Sequence, residues 1–322
     1  MVTALPLGIP EIVDSLVGQS FAFADGSTLW PLLRSMGAQD EQISLLPNLL
    51  DEAIPQVDEG GAEVYPHKGT LCSYYTMDAG GSSNVTRSDC EHATRLHGRS
   101  IEIVDSTTIN GNGSSFFRVH KAWPHTADHS SLISAPQRLV LAVLRALTMN
   151  NTRRIVKGDV RLRQSVSPSG VRAQMAGVLD EEAGNDEEVG NAALFEAMMT
   201  GFRVTRSATR LGEPGPEGVH QDSALLTVVM LLQRRNLAAD SGGSRVWSLD
   251  QPCGKPAAAD AEPTVGRLLG SHVLRHPFDA LFLLDREVKH EALPIMQLDE
   301  SAGPAIRDVL TFEVRRHCRS HA

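Results

Sequence analysis

The chain of 322 residues has no apolar run approaching the roughly 20 residues that cross a bilayer, so no membrane span is expected. It has no dense Lys/Arg run either, and its formal net charge is -9. Nucleic-acid binding needs a basic stripe, so no nucleic-acid partner is expected. Cysteines are few: Cys72, Cys90, Cys253 and Cys318 lie scattered, which suits free thiols in a reducing compartment better than a disulfide framework. The opening MVTALPLGIPEIVDSLVG lacks a basic start, a long apolar stretch and a cleavage site. A cytoplasmic location is the expectation, and the sequons beginning at Asn84, Asn112 and Asn150 are read as chance. No internal repeat is found. What remains is an ordinary globular composition, 41% hydrophobic and 21% charged, long enough for a substantial core.

The first 60 residues read as helical and irregular, with apolar residues at helical spacing in Ile12 to Val17, Leu29 to Met36 and Ile43 to Ile54. Residues 78–115 are rich in Gly, Ser, Asn and Thr and read as loops around one short strand, Ile101 to Val104. The clearest helix is Pro136 to Met149, with a leucine- and valine-rich face. A second helix is expected at about Ala192 to Met199, after a solvated acidic loop at Asp180 to Gly190. Beyond Gly201 the texture changes. Phe202 to Arg206, Leu225 to Leu232, Ser244 to Trp247, His272 to Leu274, Ala280 to Leu284, Val288 to Leu293 and Val309 to Val314 read as short strands between turn signals. Cys253 to Pro263, rich in Ala and Pro, reads as a surface insertion. Helices followed by many short strands indicate α+β, with helices buttressing a double-sheet roll.

One constellation carries chemistry. His220-Gln221-Asp222 is the only H-x-D in the chain. In a strand, residues i and i+2 share a face, so an imidazole and a carboxylate can reach one metal. Two histidines and one carboxylate on one face leave three positions open, the arrangement of non-haem iron(II) oxygenases. Taken bare, an H-x-D is more often a surface pair beside a turn. His272, His276 and His290 compete for the third place. His276 precedes a proline and reads as a turn residue, and His272 can equally be a satisfied core histidine. His290 sits inside a strand after a tight turn and is preferred. Arg307, 17 residues further on, opens a final strand. A dicarboxylic cosubstrate that chelates iron through its 2-oxo acid end needs a cation for its far carboxylate, and arginine offers a planar bidentate partner.

These segments resemble the 2-oxoglutarate/iron dioxygenase family that includes the free L-isoleucine hydroxylases. The residues that carry the resemblance are GFRVTRSATRLGEPGPEGVHQD, VVMLLQRRN with SGGSRVWS, HPFDALFLLDREVKHEALPI and RDVLTFEV, within roughly residues 195–315. Ser223 stands where the family commonly has glycine after H-x-D. The resemblance implies a distorted double-stranded β-helix of the jelly-roll or cupin kind. It implies iron ligation by His220, Asp222 and His290, 2-oxoglutarate anchoring by Arg307, and dioxygen as oxidant. One dioxygenase domain over residues 1–322 is expected, with a variable helical and loop region at 1–135 and a helix-braced β-helix core at 136–322. The implied reaction oxidises an unactivated C–H bond of a free aliphatic L-amino acid, by hydroxylation or by radical cyclisation or desaturation. A peptide or protein side-chain hydroxylase and a non-catalytic jelly-roll binding protein are the alternatives, and a homodimer is compatible with either.

A free amino acid needs a cation for its carboxylate and an acceptor for its ammonium. Arg203, Arg206 and Arg245 are candidates for the first, Glu217 for the second, and Trp247 and Phe116 for an apolar pocket. Each has a plain alternative in surface exposure, internal pairing or core packing. His125 and His129, four apart, lack an obvious third zinc ligand. Cys72, Cys90, His92 and His97 lack the close paired spacing of a structural zinc site. The terminal RRHCRSHA reads as a frayed tail.

Overall fold

A computed structural model describes residues 8–43, 50, 68–78, 85–87, 94–96, 99–104, 116–122, 131–156, 194–215, 217–222, 224–254 and 266–316. The sites expected at His92, His97, His125 and His129, two of the sequons (Asn84 and Asn112), the Asp180 to Gly190 loop, most of the 253–263 insertion and the terminal tail beyond Arg316 lie outside those residues, while Arg315 and Arg316, read as part of a frayed tail, belong to the last strand. The side chains of Cys72, Phe116 and Asn150 also lie outside the described set.

The described residues form the helices α1 (Ile9–Gln19), α2 (Gly26–Ser35), α3 (Asp40–Ile43) and α4 (Ser131–Val156). Helix α1 buries Ile9, Ile12, Val13 and Leu16, the i, i+3, i+4, i+7 stripe expected of one apolar face. Helix α2 buries Leu29, Leu32 and Leu33 and starts at Gly26. A Cβ at Gly26 would lie 2.1 Å from the Pro277 carbonyl oxygen, so only glycine lets the helix start this close to the 277–279 turn. The Gly26 N–H donates to the buried Asp279 carboxylate at 2.7 Å, tying α2 to that turn. Among the described residues, no helix is long and apolar enough to cross a membrane.

The strands are β1 (Phe21–Ala24), β2 (Lys68–Asp78), β3 (Val85–Arg87), β4 (Thr94–Leu96), β5 (Arg99–Val104), β6 (Phe116–Ala122), β7 (Leu194–Ser207), β8 (Arg210–Leu211), β9 (Leu226–Arg235), β10 (Ser244–Trp247), β11 (Leu268–His272), β12 (Ala280–Leu283), β13 (Lys289–Ala292) and β14 (Ala305–Arg316). The larger sheet runs β1-β12-β9-β14-β7-β2-β6-β5-β4, with β3 on β2 and β8 on β7. Among the described strand pairs, β2–β6 is parallel and the others are antiparallel. The smaller sheet is β11-β10-β13.

The two faces of the larger sheet bury different things. Toward the helices, Ala197 and Met199 of β7, Val228 and Met230 of β9, Phe282 of β12 and Leu310, Phe312 and Val314 of β14 join α1, α2 and α4 in the main core. Toward the smaller sheet, Phe21, Leu281 and Leu283 pack on Val246 of β10 and on Val288. Strand period fixes this division: alternate residues of one strand must serve opposite faces. The result is an antiparallel, sheet-rich α+β fold.

Three differences from the sequence reading have physical reasons. The helix expected at Ala192 to Met199 is the first half of β7. Phe195, Ala197 and Met199 alternate with cavity-side residues, and pairing with both β2 and β14 overrides any local preference. The helical and loop region before residue 135 also supplies β1 and the long β2, which sit at one edge and in the middle of the larger sheet. The brace helix is longer than Pro136 to Met149, because Ile133 and Ala135 are already buried on it.

Candidate active site

His220 reaches the site from the end of a short extended segment, and not from within a full strand. It forms an antiparallel bridge with His290, with both backbone hydrogen bonds at 2.9 Å. That pair lays the 218–220 segment alongside β13 and puts both imidazoles on one side. Their ring centroids are 4.4 Å apart. Asp222 follows two residues later. Its Oδ1 lies 3.4 Å from His220 Nε2 and its Oδ2 lies 3.4 Å from His290 Nε2. The three donor atoms fall within 4.8 Å of one another. Two ligand atoms about 2.1 Å from one ion and at right angles to each other lie about 3 Å apart, so the group fits a single metal. His272 is elsewhere, its ring tilted against Phe23 with centroids 4.9 Å apart, and His276 lies in the 276–279 turn.

The tautomer of His220 is set locally. Its Nδ1 lies 2.8 Å from the Gly218 carbonyl oxygen, an acceptor only, so Nδ1 carries the proton and Nε2 presents its lone pair toward Asp222.

Arg307 lies in the same cavity, on β14. It is 2% exposed, and its Nε and Nη2 have no hydrogen-bond partner among the described residues. A buried guanidinium with idle donors is costly unless an anion meets it. Burial first, and then the charge of Arg234, push its pKa down to about 10. It stays charged at neutral pH. The stability cost of that charge is present below about pH 10 and fades as the pH climbs from there toward the ordinary arginine value. Gly242, with φ +66°, lets the Ser-Gly-Gly-Ser loop close over this side chain; a Cβ there would lie 2.8 Å from Ile295 Cγ2 and 3.2 Å from Arg307 Cδ.

The walls between metal trio and arginine are mixed. Phe202, Val204, Val229, Leu281 and Val309 supply apolar surface, and Thr227, Ser244 and Thr311 supply hydroxyls. Three nearly buried carboxylates also line the space: Glu217, Glu291 and Glu313.

The other substrate candidates fare differently. Glu217 is on the wall. Arg203 is not: it points to the opposite face of β7 from Phe202 and Val204, and its Nε and Nη2 grip the Asp308 carboxylate at 2.8 and 2.7 Å. Gln233 donates to the same carboxylate. Arg245 and Trp247 lie behind the wall, both donating to Glu291 Oε1, at 3.4 and 3.0 Å. Arg206 hydrogen-bonds the Leu211 carbonyl near the surface. Internal acids thus hold Arg203 and Arg245, because a buried or half-buried guanidinium is stable only when paired. Sequence reasoning missed Glu291, Glu313 and Asp285. Glu291 is next to His290 and Glu313 alternates with Arg307 in β14, so strand parity held a signal for Glu313. Asp285 read only as a turn residue.

The sequence model of the 2OG-Fe dioxygenase family matches residues 164–313, just under half of the chain. The bifunctional enzyme flvA of Aspergillus flavus is 37% identical over 106 residues, which is 33% of this chain. The matched part spans 12% of that curated relative's length. Among solved structures, the Fe(II)/α-ketoglutarate-dependent dioxygenase TqaL superposes with a TM-score of 0.57 at 18% identity, covering 97% of this chain and 88% of its own. A bsmA homologue from Methylobium petroleophilum PM1 gives 0.59 at 18% identity, over 97% and 94%. IDO from Bacillus thuringiensis gives 0.52 at 12% identity, over 99% of each chain. At these identities the structural likeness shows the fold. The family match covers the segment that contains His220, Asp222, His290 and Arg307, and the chemistry of that family uses iron(II), 2-oxoglutarate and dioxygen.

Proposed function

We propose that the chain is a 2-oxoglutarate-dependent iron(II) oxygenase acting on an unactivated C–H bond of a free aliphatic L-amino acid of the valine, isoleucine, leucine or methionine type. One observation carries the cofactor part of this reading. A single cavity holds a convergent His-Asp-His trio and, away from it, a buried arginine with idle donors. His220, Asp222 and His290 would hold the iron. Arg307 would meet the far carboxylate of 2-oxoglutarate with a charge-assisted, bidentate contact. The two sheets facing each other across that cavity form, in this reading, a distorted double-stranded β-helix within one domain.

Bound iron with 2-oxoglutarate and dioxygen supplies an oxidant strong enough to break a C–H bond, at the expense of decarboxylating 2-oxoglutarate to succinate. The chain's own residues do the rest. His220 keeps its Nδ1 proton on the Gly218 carbonyl, so its Nε2 stays a ligand. Arg307, held under the Gly242 loop, fixes the cosubstrate's orientation. The apolar wall excludes water and favours an aliphatic side chain. Glu217 brings a carboxylate to the cavity wall, which favours a substrate bearing an ammonium group.

The test is succinate formation from 2-oxoglutarate under iron(II), with valine, isoleucine, leucine and methionine supplied in turn and products weighed by mass spectrometry. The expected result is substrate-dependent succinate and a product heavier by one oxygen or lighter by two hydrogens. Stimulation by peptides but by no free amino acid would replace the amino-acid reading with that of a side-chain hydroxylase. Iron and 2-oxoglutarate binding without any turnover would leave a binding protein.

A further inference from the structure

The turn between β12 and β13 carries a carboxylate whose position the fold alone does not demand. Asp285 is fully buried. Its backbone carbonyl accepts from Gln221 Nε2 at 2.6 Å, and its Oδ2 accepts from the Ala224 N–H at 3.2 Å. Both donors belong to the segment that carries His220 and Asp222. Its Oδ1 faces the other way, 3.4 Å from His290 Nδ1. One residue therefore touches both chain segments that converge on the metal trio.

Two buried atoms mark this contact. Among the described residues, Asp285 Oδ1 and His290 Nδ1 have no hydrogen-bond partner, and they lie 3.4 Å apart without the geometry of a hydrogen bond. A buried polar atom left unpaired is unfavourable, so a small shift that closes this gap is favoured. A role confined to the turn would explain Oδ2, which already satisfies a backbone N–H. It would not explain an oxygen aimed at the outer nitrogen of an imidazole. The two histidines are thus backed differently, His220 by a neutral carbonyl and His290 by a carboxylate. A carboxylate behind a metal-bound histidine fixes its ring and makes it a stronger ligand.

We propose that Asp285 is a positioning residue of the metal centre, holding His290 with its proton on Nδ1 and Nε2 toward the ion, and clipping the His220–Asp222 segment to the same place. The inference rests on the reading of His220, Asp222 and His290 as ligands.

The experiment uses the full-length, metal-free chain titrated with cobalt(II), read by calorimetry and by the visible absorption of the bound ion. Circular dichroism verifies that each variant is folded. The variants are Asp285→Ala, Asp285→Asn and His290→Ala. Expected are binding by the unsubstituted chain and a roughly 10–100-fold loss of affinity with an altered cobalt spectrum for Asp285→Ala. Asp285→Asn, which keeps an acceptor and the side-chain shape, should recover part of the affinity and of the spectrum. Should Asp285→Ala fail to fold, Asp285→Asn decides by the same readouts. Unchanged affinity and spectrum in the folded Asp285 variants, with His290→Ala not binding, would overturn the positioning role alone. Undiminished binding by His290→Ala would overturn the ligand reading and this inference with it.

Discussion

Strand β14 presents Leu310, Phe312 and Val314 to the helices and Arg307, Val309, Thr311 and Glu313 to the cavity. The two sets alternate within eight residues of one strand, yet one is an apolar interior and the other carries the chemistry. The neighbours repeat the division. On β7, Ala197 and Met199 pack on the helix side while Phe202 and Val204 line the cavity. On β9, Val228 and Met230 face the helices while Thr227 and Val229 face the site. The helix side stabilises by area removed from water, and the Arg203–Asp308 pair buried there is mutually neutralised. The cavity side holds polar and charged groups, among them Arg307, whose Nε and Nη2 have no hydrogen-bond partner among the described residues.

That contrast can be broken from either side. The largest effect is expected at the trio: His290→Ala should lower metal affinity by more than about 100-fold, measured by titration with manganese(II), while the melting temperature without metal changes little. On the other face, Phe312→Ala should cost about 3–5 kcal/mol of folding stability in urea melts, and the fraction that stays folded should bind metal normally. Arg203→Met tests which side Arg203 belongs to. If it serves the interior, as its grip on Asp308 indicates, stability falls by about 3–5 kcal/mol and the KM for substrate in the folded enzyme is unchanged. A raised KM with unchanged stability would return Arg203 to the substrate. Arg307→Met should do the reverse of a core mutation. The ligand-free protein should melt higher, because a buried charge without an anion is removed, and 2-oxoglutarate should bind about 100-fold more weakly. The smallest effect is expected at Gly242→Ala. A methyl group at φ +66° and against Ile295 should cost about 1–2 kcal/mol and weaken 2-oxoglutarate several-fold, without touching metal affinity.

The legible parts of the sequence were those with strong local signals. Ser244 to Trp247 matches β10 residue for residue, and Ala280 to Leu284 overlaps β12, because short apolar runs between turn signals have few other options. The H-x-D pair and His290 were legible through residue chemistry and strand context. Leu194 to Met199 was not, since its apolar content suits a helix as well as a strand buried on both faces. Strand β2 was missed as well, because a segment joined to β7 only in three dimensions advertises no partner in its own composition.

The sequence by itself determined which residue types were available for a metal and an anion, and the parity that puts Arg307, Thr311 and Glu313 on one face of a strand. It could not decide which arginine faces the cavity. Arg203, Arg245 and Arg307 all sit in or beside strands with apolar neighbours. Asp308 neutralises the first, Glu291 pairs with the second, and among the described residues no carboxylate pairs with the third. Those acids are 105 and 46 residues away from their arginines. Only the pairing of β14 with β7, and of β10 with β13, brings them together. Charge compensation in a buried site is a property of distance in space, and that distance is set by the sheets.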